Sequence, residues 1–348
     1  MFTLRFDMRA PTWGATPAAL YAAAPEMCAW AEDHGCIAAV LCEHHGSEDG
    51  YLPAPLMLAS AIASRTQRLA LSLIVVLPFY EPVRLAEDMA VLDILSGGRA
   101  SYILALGYRP EEFEHFGLAL GDRGRLADEK LALVRRLLAG EVVVQDGRRI
   151  VVTPRPQTAG GPGLMWGGGT VAAARRAGRY GMGLLANANV PGMRDAYEAA
   201  CREHGHPPGA AFLPDRDTPS VCFVADDIEQ AWSELGEYLL HDARTYAEWN
   251  PGNETSAGFS HVTTVAELRD ASASHVITSV SEAISRVRAG EILNLAPLCG
   301  GLPPDVAWPY LKRVGEVVLP EASRSAPAET GGGGVDSALN DLLSDGKS

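Results

Sequence analysis

The sequence predicts a (β/α)8 TIM barrel with insertions, on three observations. Eight short apolar runs alternate with helical periods along most of the chain. Runs such as residues 36–42 (CIAAVLC) and 69–77 are continuous rather than alternating, the pattern of strands covered on both faces. No G-x-G-x-x-G follows the first run, where a doubly wound open sheet would carry it.

The elements follow in order. Residues 4–7 form the first strand candidate, and a helix is expected from near Pro25 to Gly35. The strand at 36–42 precedes a helix near 52–64. The strand at 69–77 precedes a helix from Pro82 that carries Leu85, Ala86, Met89, Leu92 and Leu95 on one stripe and stops at Gly97–Gly98. A fourth strand spans 99–106, and a patterned helix spans 126–138. Residues 141–153 break the rhythm: two β-branched runs flank Asp146-Gly147, which predicts a small β-hairpin excursion outside the main fold. Strands at 163–166, 182–186, 220–224 and 292–295 complete the eight. Helices are expected at 170–180, 191–204, 226–248, 279–289 and 305–317.

Length and charge bound the function classes. The 348 residues suit one large domain or two ordinary ones. Twenty-nine basic and 43 acidic residues leave a net charge of −14, which argues against nucleic-acid binding and against a polybasic membrane anchor. An apolar fraction of 47 % provides a sizeable core, and no run reaches the length of a membrane span. No signal-peptide pattern opens the sequence, and six cysteines without C-x-x-C spacing read as reduced and mostly buried. A cytoplasmic location is expected.

In such a barrel the chemistry sits where strands end. The second strand ends in Glu43-His44-His45. Successive residues face opposite sides, so at most one histidine can face the mouth. Adjacent histidines do not converge easily on one ion, and no metal is expected. The fifth strand ends in Trp166-Gly167-Gly168-Gly169-Thr170. Glycines there let backbone N–H groups approach an oxyanion at a helix start, with Thr170 as cap and hydroxyl donor. The fourth strand ends in Leu106-Gly107-Tyr108, where Gly107 lets a ligand lie against backbone and Tyr108 could form an aromatic wall. The third, with Leu73 and Ile74, could supply an apolar floor under a flat heterocycle.

Taken together, the blocks EHHGSEDGYLPAPL (43–56), PVRLAEDMAVLDILSGGR (82–99), GYRPEEFEHFG (107–117), GGGTVAAARRAGRYGMG (167–183) and GGLPPDVAWPYLKRVGEVVLP (300–320) resemble the bacterial luciferase-like flavin-dependent monooxygenases and their deazaflavin-dependent relatives. The resemblance runs over roughly residues 4–320. It implies reduced flavin bound at the C-terminal mouth of the barrel, with His44 facing the ring and tied to proton transfer. It implies a non-proline cis peptide behind the ring near Leu73–Ile74, and a phosphate held by Gly168, Gly169 and Thr170. Residues 105–107 lack the arginine that luciferase itself carries two positions before the Tyr108 place, so light emission is not expected.

The function so implied is oxidation of a small organic substrate with reduced FMN and oxygen. The alternatives are hydride transfer with the deazaflavin coenzyme F420, and a non-catalytic flavin-binding protein. With no nicotinamide fingerprint in the chain, reduced flavin is expected from a separate flavin reductase, and a homodimer is expected. The barrel domain is read as residues 1–320 and a flexible tail as 321–348. In the tail, Gly331–Gly334 form a tether and Val335, Ala338, Leu339, Leu342 and Leu343 an apolar helical stripe that could dock on the barrel, a twin subunit or the reductase.

Overall fold

Parallel pairing dominates the computed structural model, which describes residues 1–215, 218–250, 260–271 and 273–324. The strands are β1 (Phe2–Phe6), β2 (Cys36–Leu41), β3 (Ala70–Val76), β4 (Ala100–Ala105), β5 (Val143–Gln145), β6 (Arg148–Ile150), β7 (Gly163–Gly167), β8 (Gly183–Leu185), β9 (Ala211–Phe212), β10 (Val221–Ala225), β11 (His275–Ser279) and β12 (Leu293–Leu295). The helices are α1 (Pro17–Glu32), α2 (Pro55–Ala63), α3 (Pro82–Ser96), α4 (Pro110–His115), α5 (Arg123–Leu138), α6 (Val171–Arg179), α7 (Met193–Glu203), α8 (Ile228–Trp249), α9 (Val265–Ala271), α10 (Val280–Arg288), α11 (Pro304–Arg313) and α12 (Leu319–Arg324), with a π-helical turn over Val314–Val318.

Ten strands form one sheet in the order β11-β10-β12-β1-β2-β3-β4-β7-β8-β9. The first strand lies between the second and the last, with Phe2 opposite both Cys36 and Leu293. A doubly wound sheet does not bring its first and last strands together in this way, and the fold is the expected (β/α)8 barrel type. All eight expected strands are present. Two were not expected: β9, two residues long, and β11, whose His275, Thr278 and Ser279 leave only two apolar residues in the run.

Alternation assigns the faces. Tyr102 and Trp166 are fully buried on the face covered by helices, where the Arg176 guanidinium of α6 lies 5.4 Å from the Trp166 ring. Leu73 pairs with Tyr102 and shares that face; Ile74 pairs with Ile103 on the opposite, interior face. Register between β3 and β4 runs unbroken from Leu71↔Ala100 to Val76↔Ala105. The expected cis peptide at Leu73–Ile74 is therefore corrected: these residues continue a regular strand, and the cis bond among the described residues is Thr153–Pro154.

Helix starts follow proline. α1 begins at Pro17 behind the Thr16 cap, eight residues before the expected Pro25, which instead sits inside the helix. α3 ends as expected, with Gly97 in the left-handed conformation (φ 65°) donating to the carbonyls of the last turn. The hairpin forms as read, Val143↔Ile150 antiparallel around Asp146 and Gly147, both at positive φ. Short α4 and α9 lacked enough periods to be expected. Pro320 lies within α12, which runs to Arg324; the stripe at 335–343 lies outside the described residues.

No described helix is long and apolar enough to cross a membrane.

Candidate functional site

Four neighbouring strands, β2, β3, β4 and β7, bring their C-terminal ends to one side of the barrel. β2 delivers Glu43-His44-His45, and the two histidines separate as alternation requires. His45 Nε2 pairs with Glu43 Oε1 at 2.8 Å, and its ring packs edge-on against Phe79 and Phe116. Glu43 is saturated further by the Val76 amide (2.6 Å) and the Tyr80 hydroxyl (2.7 Å). This half of the pair is structural glue between β2 and β3.

His44 turns the other way. Its Nδ1 lies 2.8 Å from Glu112 Oε1, and the Tyr108 hydroxyl lies 3.3 Å from its Nε2. Glu112, buried in α4, also accepts from the His45 amide (2.9 Å) and from Arg109 (3.2 Å). Burial lowers the His44 pKa below its ordinary value against the opposing pull of Glu112. Burial works to raise Glu112, but hydrogen bonds from His44 and His45 and the charge of Arg109 hold it low. The consistent state is a neutral imidazole donating Nδ1–H to an ionised carboxylate, which leaves the Nε2 lone pair as an acceptor. Tyr108, raised to about 12 mainly by burial, supplies the O–H that donates to it. Asn250 Nδ2 donates in turn to the Tyr108 oxygen at 3.2 Å.

Aromatic rings cover His44. Tyr51 stands edge-on at 4.9 Å, Trp249 lies at 4.7 Å, and Tyr246 at 6.3 Å. Beside them is a charged network. Arg9, fully buried, pairs with Asp49 (2.6 Å) and Asp242 (3.2 Å). Asp242 also receives Arg5 (2.9 Å) and His275 (3.0 Å). Burial would raise Asp242, yet Arg5, His275 and Arg9 hold it far below the carboxylate range. Asp242, His275 and Cys299 are near enough to hold a metal, but the two guanidinium groups on Asp242 already neutralise it.

The glycine turn follows β7. Gly167 lies beside Ile103 on the interior face, where a Cβ would come to 2.9 Å from the Ile103 side chain. A Cβ on Gly169 would collide with the Asn187 side chain and meet Ala188 at 3.0 Å. Gly168, at φ 141°, donates to the Leu185 carbonyl, so its N–H belongs to the sheet. Thr170 caps α6 through its hydroxyl, which accepts from the Ala173 amide at 3.1 Å. α6 has no acidic residue in its first turn and could hold an anion there. Leu106 is half-buried, and Gly107 (φ 76°) is packed so that a Cβ would meet Val76 at 2.8 Å.

Thus the structure gathers His44 and Tyr108 at one end of the four-strand row and residues 167–170 at the other. Ile74 lies between them and Leu73 among the helices. Sequence reading passed over Glu112, Arg9, Tyr246 and Trp249. The first left a faint signal, Pro110 opening a helix that sets Glu112 beside the histidines. The others are brought in only by tertiary folding.

Comparison with known proteins identifies a family and a shared fold. The family described as Luciferase-like monooxygenase matches residues 4–286. Limonene 1,2-monooxygenase of Rhodococcus erythropolis is 36 % identical over 104 residues, 30 % of this chain and 27 % of that protein. The oxygenase component of flavin-dependent trigonelline monooxygenase of Acinetobacter baylyi is 29 % identical over 143 residues, 40 % of each. The chain spans well under two thirds of the length of the curated relatives it matches. Among solved structures, monooxygenase RslO1 from Streptomyces bottropensis superposes with a TM-score of 0.73 at 24 % identity, covering 92 % of this chain and 99 % of that one. The oxygenating constituent of 3,6-diketocamphane monooxygenase from Pseudomonas putida, in complex with FMN, gives 0.66 at 16 %, covering 92 % and 98 %. An F420-dependent secondary alcohol dehydrogenase gives 0.60 at 17 %, covering 88 % and 97 %. With its parallel barrel and a family match over most of its length, the chain belongs to the luciferase-like monooxygenases.

Proposed function

We propose that the chain is a flavin-dependent monooxygenase that oxidises a small organic substrate with reduced FMN and molecular oxygen. The observation that carries this reading is the Glu112–His44–Tyr108 chain at the barrel mouth, with a basic Nε2 in a site walled by aromatic rings.

The residues present suit a flavin. Asn187 and Ala188 pack so closely on Gly169 that the turn admits no side chain, and it lies at the start of a nine-residue helix without an acidic residue in its first turn. From β2 to β7 is three inter-strand spacings, on the order of 14 Å. That span suits a heterocycle near His44 and a phosphate near Gly168, Gly169 and Thr170. Leu106, Gly107 and Ile74 would line the path between. Reduced flavin, when bound, supplies the electrons that activate oxygen.

The chain's own contribution is positional and protonic. Ile74, Ile103 and Leu106 present apolar surface that keeps water from the reaction zone. Glu112 fixes the His44 tautomer, Nε2 takes or returns a proton, and half-exposed Tyr108 links that atom to solvent.

FMN is favoured over coenzyme F420 by the FMN complex and by the flavin-dependent oxygenase component among the similar proteins. That relative's name also supports delivery of reduced flavin by a separate reductase. Met57 of α2 and Val91, Ile94 and Leu95 of α3 are exposed apolar side chains on two packed helices, which supports a homodimer through this face. Six buried cysteines without a disulfide support a cytoplasmic location.

Anaerobic titration with photoreduced FMN and with reduced F420 tests the assignment. FMN should bind and F420 should not. Binding of F420 alone would turn the reading to hydride transfer, and binding of neither would remove the cofactor assignment. His44→Ala should keep FMN binding while turnover falls about 10²–10⁴-fold. Normal turnover in that variant, with loss in His45→Ala, would reverse the choice of histidine.

A further inference from the structure

The last turn of α8 places the Trp249 indole in the mouth, 4.7 Å from the His44 ring. Two cations lie on that indole. The Arg109 guanidinium carbon is 4.0 Å from the ring centroid and that of Arg9 is 4.4 Å. Both arginines are buried, and each keeps a buried nitrogen, Arg109 Nε and Arg9 Nη2, without a hydrogen-bond partner among the described residues. Tyr51 and Tyr246 close the sides, each 5.7 Å from the indole.

These features specify a ligand chemistry. A guanidinium group is drawn to the electron density of a ring face, most strongly where water is excluded. Two of them on one ring select an electron-rich, planar π surface. Unpartnered buried N–H groups seek an acceptor, which an oxygen substituent on such a ring would provide. His44 Nε2, which accepts the Tyr108 hydroxyl in the ligand-free chain, lies at the same place and would accept the substrate hydroxyl in its stead. Trp249 meets only the first requirement, because its indole carries no acceptor. It is also the last residue of α8. The turn is held beyond packing by the Asn250–Tyr108 hydrogen bond (3.2 Å) and the Tyr246–Tyr51 hydroxyl pair (2.6 Å), both of which water can replace.

We infer that the slot at Arg9 and Arg109 is the substrate subsite, that Trp249 fills it in the ligand-free chain, and that the substrate is a planar hydroxylated aromatic compound that displaces the indole and sets its hydroxyl against His44. The inference rests on the mouth being the reaction site and adds the substrate class to that reading.

The test uses p-cresol and its saturated counterpart 4-methylcyclohexanol, measured by calorimetry on the full chain without flavin. Removing the internal competitor in Trp249→Gly should tighten p-cresol binding about tenfold over the native chain. The same variant should prefer p-cresol to 4-methylcyclohexanol by about tenfold. Adding Arg109→Met, which leaves Arg9 as the one guanidinium on the slot, should reduce that preference severalfold. Equal affinities in the native and variant chains, or equal affinities for the two ligands, would overturn the proposal. If Trp249→Gly does not fold, the native chain and Trp249→Phe are compared by fluorescence. p-Cresol should change the emission component present only in the native chain, and 4-methylcyclohexanol should not; no change with p-cresol overturns the subsite. Because flavin is absent from these measurements, their outcome is separate from that of the FMN titration.

Discussion

Glu112 Oε1 accepts a 2.8 Å hydrogen bond from His44 Nδ1, and the same oxygen accepts the amide of His45. One carboxylate thus fixes both the tautomer of the outward histidine and the backbone from which it projects. Glu112→Gln would replace the charge with an amide whose NH₂ can donate to Nδ1 and so favour the tautomer with Nε2 protonated. In that form Nε2 cannot accept a proton. Turnover should fall on the order of 10²–10⁴-fold while flavin binding stays near native. Loss of the carboxylate also removes an influence that raises the His44 pKa, already lowered by burial. The acid limb of kcat/KM should therefore move to lower pH. A pH–rate profile checks this: a lowered plateau with an unmoved limb would mean that Glu112 serves only the fold.

How much of this was legible in the sequence depends on the range over which each residue acts. The buried strands announced themselves through local continuous apolar runs, and His44 through its address at a strand end. Alternation limited the mouth to one of His44 and His45, and the resemblance implied which. Glu112 stands 68 positions from His44, and Arg9 stands 233 positions from Asp242. Neither pairing leaves a local period. Trp249 falls one residue beyond the helix expected over 226–248 and carries no local signal; only the arrival of Arg9 and Arg109 on its ring gives it a meaning. Leu73 shows the opposite failure. Its strand was right, yet the resemblance set Leu73–Ile74 behind the ring, and pairing with Tyr102 sends Leu73 to the helices.

Gly169 offers a direct probe of the phosphate end. Its missing side chain leaves space that Asn187 and Ala188 border closely. Gly169→Val would force those neighbours apart and restrict the turn, so affinity for reduced FMN should fall at least about tenfold. Equilibrium titration reads the change, with circular dichroism as the check on folding. An unchanged dissociation constant would move the phosphate away from this turn.

The apolar face of α2 and α3 carries a separate expectation. Met57 is 74 % exposed and Leu95 55 %, values that leave most of each side chain in water in the single chain. Leu95→Glu combined with Met57→Glu would place charge at the centre of any interface built there. The native protein should sediment as a dimer and the double variant as a monomer, with FMN affinity unchanged. A native chain that sediments as a monomer at high concentration would remove the homodimer.

Asp7 sets a pH dependence of stability. It is buried at the end of β1, where its Oδ1 accepts the Arg9 amide at 3.0 Å and its Oδ2 has no hydrogen-bond partner among the described residues. Burial first, and then the negative charge of Asp242, push its pKa well above the usual carboxylate range despite Arg5 and Arg9. A carboxyl whose folded pKa exceeds its unfolded one binds more protons in the folded state between the two values. Stability from this group is therefore present at low pH and is lost as pH rises through that window. Asp7→Asn keeps the acceptor for the Arg9 amide and removes the charge. At pH 8 the variant should equal or exceed native stability, by on the order of 1 kcal/mol. The difference should shrink toward zero near pH 4, where the native side chain is itself protonated in the folded state. Denaturant titrations at the two pH values supply the comparison. A variant that is less stable at pH 8 would show that the Arg5 contact at 3.6 Å outweighs repulsion from Asp242.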